Sequence, residues 1–271
     1  TGPIFPRANL FTQVSGGTSV DVMARDFHAA LDDPAVRAIL LDVDSPGGQA
    51  TGVNELANMI HAARGSKPIT AYVGGSAASG AYWIASAADQ IVADATAGLG
   101  SIGVVAGYRD TSARDEKAGV KSVEIVSSQS PNKRPDMSTD EGRKQIQDRV
   151  DAIAEVFVTT VARNRSVDPD TVLRDFGAGG ILIGADAVNA GLADKLGSFE
   201  NVLAELATRT LGRRKGDDLM ADQNTEPAAI AVAGIDPERI TASFIAEKFP
   251  QIAKELRTAG IDAAVSEALA A

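Results

Sequence analysis

The sequence predicts an α/β domain in which buried strands alternate with amphipathic helices. Residues 38–45, AILLDVDS, form an apolar run typical of a buried parallel strand, and the turn SPGG at 45–48 follows directly. Residues 51–64 then carry apolar side chains at helical spacing. The same order recurs at 69–89, where the strand-like ITAYVGG leads into the helical SAASGAYWIASAAD. These repeated strand–turn–helix units predict the α/β class.

The other elements of the first half follow the same logic. Thr18 or Ser19 can cap a first helix, whose apolar side chains are Val22, Met23, Phe27 and Leu31. Beyond SAASGAYWIASAAD we expect a strand at 90–95 and then a glycine-rich segment at 98–110. That segment leads to a short helix and a strand, SVEIVSS, at 122–128.

The second half of the domain is predicted to be mainly helical. Ser138 and Glu141 form a capping-box pattern that opens a long helix ending near Asn164. The buried stripe of this helix is predicted to consist of Ile146, Val150, Ile153, Phe157 and Val161. Residues 180–198 predict a strand, a tight turn and a short helix.

The chain is predicted to divide into three parts, of which the first is a domain at 1–210. At 211–236 the composition shifts to Gly, Asp, Arg, Lys, Asn and Pro, which is typical of a linker. Residues 237–271 show helical periodicity but are too few for a core of their own, so we expect this tail to pair with a partner or another copy. Met220 is a candidate internal start for a separate product that contains the tail.

Charge and hydropathy exclude several partners. The chain has 271 residues with 36 acidic and 26 basic side chains, a formal net charge of −10, so nucleic acids and anionic lipids are not expected partners. No apolar run approaches the roughly 18 residues that span a bilayer. Because the sequence begins at Thr1, an upstream leader or anchor is left open.

The residue types present also exclude several chemistries. The chain contains no cysteine, which excludes disulfides, thiolate metal sites and a cysteine nucleophile. It contains no metal-ligand pattern and no phosphate-binding loop, and GLGSIG at 98–103 lacks the strand–glycine–helix order of a dinucleotide site. We therefore expect no cofactor.

The turn SPGG lies where a strand of the predicted sheet ends. Pro46 fixes the entry to the turn, and Gly47 and Gly48 permit backbone angles closed to other residues. Backbone N–H groups at this edge point into the crevice where α/β folds bind ligands. Such donors can stabilise the oxyanion of an acyl-transfer reaction, although the same turn also occurs as a purely structural feature.

Ser79 is the second candidate feature, between a predicted strand and a predicted helix. This placement exposes a hydroxyl beside helix N-terminal amides. The small residues around it either clear space for a nucleophile or let the helix pack closely on the sheet. Ser76, in the turn before the helix, and Ser86, two turns into it, are rival serines.

A serine nucleophile needs a base. The sequence has two histidines, His28 and His61, both on predicted helices upstream of Ser79. The other option at neutral pH is a lysine whose pKa is lowered.

Lys133 is the preferred lysine because it follows the predicted strand at 122–128 and adjoins Arg134, whose charge disfavours a second cation. A solvated loop position is the alternative interpretation of Lys133. Lys121 and Lys144 have the positions of ordinary surface residues.

Four motifs jointly resemble a known family. They are SPGG at 45–48, AASGAYWIASAAD at 77–89, GSIGV at 100–104 and GADAVNAGLADKLG at 184–197. The set resembles the signal peptide peptidase A family of serine proteases, and more closely its phage branch, the prohead (capsid maturation) proteases. The resemblance covers residues 1–205, and it implies a β/α spiral fold of the Clp protease/crotonase superfamily and a Ser/Lys dyad.

The resemblance also assigns roles to residues. Ser79 matches the nucleophile, and Gly47 and Gly80 match the donors of the oxyanion hole. Ser101 matches a serine that orients the catalytic lysine. Lys133 matches the general base, although SPNKRP here replaces the family's glycine-lysine-aromatic-lysine run. The residues expected to line the substrate site are Gly48, Gly100 and Ile102.

The function implied is that of a serine endopeptidase that cuts scaffold, capsid or portal proteins, and itself, in the prohead assembling in the host cytoplasm. A homo-oligomer is expected, because the family tends to enclose its active sites. The small residues near Ser79 favour small side chains at the cut. The alternatives are a signal peptide peptidase with an upstream membrane anchor, a crotonase-like acyl-CoA enzyme and a non-catalytic scaffold.

Overall fold

The computed structural model describes residues 1–8, 16–217 and 229–233, with side chains through Arg209. The strands are β1 (Ile4–Phe5), β2 (Thr18–Ser19), β3 (Val36–Ser45), β4 (Ile69–Ala78), β5 (Gln90–Ala93), β6 (Gly98–Gly100), β7 (Ile181–Ile183), β8 (Lys195–Leu196) and β9 (Ala229–Ala233). The helices are α1 (Val20–Asp32), α2 (Val53–Ala62), α3 (Gly80–Ala85), α4 (Ser112–Lys117), α5 (Asp140–Arg165), α6 (Pro169–Asp175), α7 (Gly184–Ala190) and α8 (Phe199–Asp217). The predicted mixed α/β class is confirmed.

The strands of the described residues form a small β1–β2 pair and a seven-stranded sheet, in which β7, β6, β4, β3 and β9 are successive neighbours. β5 lies beside β4, and β8 lies beside β5. β6 and β7 pair antiparallel, and the other pairs of this sheet are parallel. A parallel sheet requires helical crossovers, which explains the strand–helix alternation of the sequence.

β4 changes its neighbour halfway along, and this change shapes the site. Its first half, Thr70–Val73, pairs with β5, whereas its last residues, Ser76–Ala78, pair with β6. The register against β3 shifts at the same point, since Val43 faces Val73 but Ser45 faces Ala77. The extra residues include Gly74 and Gly75, and the curl they permit brings the ends of β3 and β4 together.

Both faces of β3 are covered, as its continuous apolar run predicts. On one face, Ile39 and Leu41 join the main core with the buried residues of α2 and α3. On the other face, Ala38 and Leu40 pack with Val202 and Leu206 of α8. β3 is therefore a rigid support for the SPGG turn that follows it.

Arg64 ties the ends of two helices together. Its guanidinium donates to the carbonyl oxygens of Ser86, Ala87 and Ala88, just after α3, at 2.7–2.9 Å. It also donates to the carbonyl oxygen of Asn164 in α5 at 3.0 Å. These carbonyls have no partner within their own helices and carry partial negative charge, so one cation satisfies both helix ends.

The predicted stripe of α5 is buried only in its second half. Phe157 and Val161 are buried, whereas Ile146, Val150 and Ile153 are half-buried.

Two further local predictions are wrong. Residues 122–128 form no strand, and Val123 and Ile125 are 71% and 94% exposed, because the apolar alternation of SVEIVSS has no neighbouring strand in the described chain. The cap of α5 is Thr139, whose Oγ1 accepts the N–H of Gly142 at 3.0 Å. Ser138 is not the cap because its hydroxyl donates to Asp136 instead.

The described residues extend past the predicted domain boundary at 210. α8 runs to Asp217, and β9, within the predicted linker at 211–236, pairs in parallel with β3. The predicted helical tail at 237–271 and the proposed start at Met220 lie outside the described residues. The three-part division of the chain stays a prediction.

Candidate active site

Ser79 occupies the junction between β4 and α3 with a strained backbone. Its φ is 53° and its ψ is −126°, a combination that costs a non-glycine residue about 1–3 kcal/mol. The Ser79 N–H donates to the carbonyl oxygen of Gly100 at 2.8 Å, and its carbonyl oxygen accepts the N–H of Trp83 at 3.1 Å. These bonds impose the strain from both sides and turn the partly exposed side chain outward.

The helix after Ser79 is held firmly. All six residues of α3 are buried. The Trp83 ring stacks on Phe157 of α5 with ring centroids 4.2 Å apart, and the Tyr82 hydroxyl donates to the carbonyl oxygen of Leu192 at 3.0 Å. The small residues of this stretch therefore permit close helix packing as well as space beside Ser79, so the two interpretations of the sequence are compatible.

The SPGG turn packs directly against the Ser79 junction. Gly47 has a φ of 90°, and a Cβ there would lie 2.7 Å from the Ala78 carbonyl oxygen and 2.8 Å from Ser79 Cβ. A Cβ on Gly48 would overlap the Ile4 carbonyl oxygen on the opposite side of the turn. The motif needs glycine at both positions because backbone approaches from each side.

Backbone donors converge beside Ser79. Gly80 is the first residue of α3, so its N–H has no partner within that helix. The nitrogen of Gly48 lies 3.9 Å from the position that a Cβ of Gly80 would take. The N–H of Gly47 is already engaged, since it donates to Ser45 Oγ at 3.1 Å. A pair of N–H groups next to a nucleophile is the arrangement that stabilises a tetrahedral oxyanion.

The GSIGV segment contacts Ser79 on the side of β6. Gly100 accepts the Ser79 N–H, and Ser101, with a φ of 52°, donates its N–H to the Gly180 carbonyl oxygen at 2.7 Å. Ile102 follows and lines a cavity of about 210 Å³ together with Val172, Leu173, Ala178 and Gly179. The predicted residues Gly100, Ser101 and Ile102 thus run from the carbonyl oxygen that holds Ser79 to the lining of this cavity.

Lys133 is not joined to this group by any hydrogen bond or ion pair within the described chain. It ends a 3₁₀ turn, Pro131–Lys133, and is exposed. Its N–H donates to the Ser130 carbonyl oxygen, and the neighbouring Arg134 pairs with Glu124. The strand expected to aim Lys133 does not form.

The two alternative candidate lysines are less suitable bases. Lys144 pairs with Asp148 at 2.7 Å, and this hydrogen bond raises the pKa of Lys144, the opposite of what a neutral base requires. Lys121 is exposed on the same irregular segment as Lys133.

The histidines and the rival serines lie in other environments. His28 is exposed on α1, and His61 is on α2, where burial lowers the pKa of its ring. Ser86 is fully buried and donates its hydroxyl to the Trp83 carbonyl oxygen. Ser76 lies in β4 and donates its N–H to the Asp44 carboxylate. Ser79 is the serine next to the converging amides.

Sequence reasoning missed two contributors to the site. Ser45 belongs to the motif that was noticed, but its hydroxyl was given no role. Ile4 clamps the turn from outside, donating its N–H to the Gly47 carbonyl oxygen at 2.9 Å and accepting the N–H of Gln49 at 3.0 Å. Ile4 is more than forty residues away in sequence, so no local pattern indicated it.

A strained serine at a strand–helix junction, beside the backbone amides of a glycine-rich turn, is the arrangement typical of serine hydrolases. Comparison with known proteins gives the family. The model of Peptidase family S49 matches residues 61–211. The chain belongs to that family and has the mixed α/β spiral of the Clp protease/crotonase type.

Several curated relatives are similar over most of this chain. The head-tail preconnector protein GP5 of Enterobacteria phage P21 is 31% identical over 84% of this chain and 46% of its own length. Capsid assembly protease C of Escherichia phage lambda is 32% identical over 72% of this chain and 45% of its own. A putative signal peptide peptidase SppA of Enterococcus faecium is 35% identical over 65% of this chain and 52% of its own. The chain thus spans about half the length of these relatives.

Proposed function

We propose that the chain is an endopeptidase of phage head assembly that cuts scaffold, capsid or portal proteins, and itself, in the prohead assembling in the host cytoplasm. The observation that carries the proposal is Ser79, held in a strained conformation beside the amides of Gly48 and Gly80. The named functions of the two phage relatives support the choice of substrates.

In the proposed reaction, Ser79 Oγ attacks the carbonyl carbon of the scissile peptide while the neutral Lys133 amine accepts the hydroxyl proton. The tetrahedral oxyanion receives N–H donors from the turn and from Gly80. Collapse breaks the C–N bond, and the lysine gives its proton to the departing amine. Water, activated by the same lysine, then attacks the acyl-serine and releases Ser79. Ser101, which follows the Gly100 carbonyl that holds the Ser79 N–H, is proposed to orient the lysine.

Lys133 is proposed to reach Ser79 of another copy in a homo-oligomer. It lies on residues 104–135, a segment that we call the arm. Within the described residues, the hydrogen bonds of the arm stay inside it or reach Gln145. The arm exposes large apolar side chains, namely Val105, Tyr108, Val120, Val123 and Ile125. Concentrated apolar exposure of this kind is typical of a protein interface. A neighbouring copy that covers the arm would also shield Lys133 from water.

The proposal is tested with a fluorophosphonate probe and a scaffold substrate. Wild type is expected to label on Ser79 and to release scaffold fragments that mass spectrometry can identify. Ser79→Ala should lose both reactions, whereas Ser86→Ala, which removes a buried serine of the next helix, should keep both. Labelling at another residue, or unchanged processing by Ser79→Ala, would overturn the proposal and would favour a crotonase-like or scaffolding role.

A signal peptide peptidase is the second candidate, favoured by the Enterococcus relative. Among the described residues, no helix has the length and apolarity to cross a bilayer. The candidates are separated by substrate. The prohead enzyme should cleave the scaffold faster than a signal peptide embedded in lipid vesicles, and the reverse order would select the second candidate.

A further inference from the structure

Ser45 is the last residue of β3, and it lies beneath the SPGG turn. It is 4% exposed, and its Oγ accepts the N–H of Gly47 at 3.1 Å. A hydroxyl buried this deeply is retained at low cost only where it is hydrogen-bonded. Here the bond fixes the orientation of the peptide between Pro46 and Gly47, and with it the start of the turn.

The next peptide unit is fixed from the opposite side. The Gly47 carbonyl oxygen accepts the N–H of Ile4 at 2.9 Å, so it points toward β1. In a trans peptide the C=O and the following N–H point in opposite directions, and the described chain has no cis peptide. The N–H of Gly48 therefore points away from β1, and it has no hydrogen-bond partner among the described residues.

The Gly48 amide is directed to the side on which Ser79 lies. Its nitrogen is 3.9 Å from the position that a Cβ of Gly80 would take, next to the unpaired first N–H of α3. The Cα of Gly47 packs directly against Ser79 and Gly80, and a side chain on Gly47 would collide with them. Gly47 therefore allows the turn to approach Ser79 closely, and Gly48 provides the N–H donor.

We propose that Ser45 is a positioning residue: its hydroxyl holds the turn so that the Gly48 N–H faces the reacting carbonyl beside the Gly80 N–H. The proposal rests on the proposed function of Ser79. The Ser45 hydroxyl acts through the turn: it occupies the Gly47 N–H and so holds the following peptide with its N–H facing the reacting carbonyl. Removing the hydroxyl releases the Gly47 N–H and lets the turn rotate.

The test compares substrate turnover with the affinity of a peptide aldehyde, which forms a tetrahedral adduct with a catalytic serine. Ser45→Ala is expected to lower kcat by about 10–100-fold with KM changed less than about twofold, because oxyanion donors act in the transition state and a small misplacement is costly. The aldehyde should lose affinity by the same factor. Ser45→Thr keeps the hydroxyl and should recover most of both.

Stability is measured on the same variants by thermal unfolding. Ser86→Ala is the matched control, because it removes another buried hydroxyl with two hydrogen bonds, to Trp83 and Asn164. It should lower the melting temperature and leave kcat and aldehyde affinity unchanged. If Ser45→Ala does not fold, Ser45→Cys, with a similar volume but a weaker acceptor, takes its place and is expected to lose kcat and aldehyde affinity together.

Wild-type kcat and aldehyde affinity in a folded Ser45→Ala or Ser45→Cys protein would overturn the inference. So would a loss of activity that only follows the unfolded fraction. In either case, Ser79-dependent cleavage by the wild type would show that the proposed function still stands. Cleavage that persists in Ser79→Ala would instead remove the proposed function itself.

Discussion

At the scale of single residues, the surroundings of Ser79 are built by backbone more than by side chains. Ser79 holds a backbone conformation that non-glycine residues rarely adopt, and the Gly100 carbonyl oxygen and α3 impose it from both sides. Gly47 approaches so closely that only a hydrogen atom fits on its Cα. The hydroxyl of Ser45 and the backbone of Ile4 then orient the turn. Peptide groups fixed in advance can stabilise charge without rearranging during the reaction.

His61 is predicted to make folding sensitive to mild acid. Burial, and then the charges of Arg64 and Arg163, lower the pKa of His61, and Asp89 opposes them weakly. The unfolded chain therefore binds the proton more readily, so stability should fall as pH drops through the unfolded-state value of about 6.5. Between pH 7.5 and 5.5, wild type should lose more thermal stability than His61→Gln.

The exposed His28 provides the control for this measurement. His28→Gln should keep the pH dependence of wild type. Equal pH dependence of wild type and His61→Gln would show that His61 does not carry the effect.

At the scale of elements, patterns within a segment predicted the strands and helices that form mainly from the residues of that segment. β3, β4 and α2 were predicted because their apolar runs and helical spacing are contained in the segments themselves. The strand at 122–128 was predicted wrongly, because alternation shows that Val123 and Ile125 suit a strand but not whether a neighbouring strand is present. Similarly, serine is a common helix cap, but the hydroxyl of Ser138 donates its hydrogen bond to Asp136 instead.

Arg64 is predicted to contribute strongly to stability. Arg64→Met keeps the apolar stem but leaves four carbonyl oxygens at the ends of α3 and α5 without their charged donor. A loss of about 3 kcal/mol in the free energy of unfolding is expected, measured by urea denaturation. Arg174→Met, which removes an exposed pair with Asp175, should cost less than about 1 kcal/mol. Equal losses in the two variants would contradict this account of Arg64.

At the scale of the whole molecule, the sequence predicted Ser79 and the glycine-rich segments around it. It did not predict the long-range contacts that fix these segments in place. SPGG, AASG and GSIGV are each short segments at strand ends, so the parallel sheet alone brings them to one edge. The clamp by Ile4 and the link from Arg64 to two helices join residues far apart in sequence, where no periodicity gives an indication. The position of Lys133 could not be predicted from the sequence either, because the arm has few contacts within its own chain.

The arm links two features: Lys133 makes no hydrogen bond or ion pair with the Ser79 group within the described chain, and a homo-oligomer is proposed. Its apolar side chains are exposed while its polar groups bond mainly with one another. An arm that packs on a neighbouring copy would bury these side chains and would bring Lys133 toward a Ser79 other than its own. The proposed enzyme is then active only as an assembly, which confines cleavage to places where copies are concentrated.

Mixing two inactive variants tests this account most directly. Ser79→Ala and Lys133→Ala, unfolded together and refolded as mixed oligomers, are each expected to be inactive alone. If Ser79 and Lys133 come from different copies, the mixture should recover about a quarter of the wild-type cleavage rate, because a random assembly pairs an intact serine with a neighbour's intact lysine at one site in four. Replacing the first variant with the double variant Ser79→Ala, Lys133→Ala should abolish recovery. A mixture of the single variants that stays inactive, although mixed oligomers form, would contradict the shared Ser79–Lys133 site.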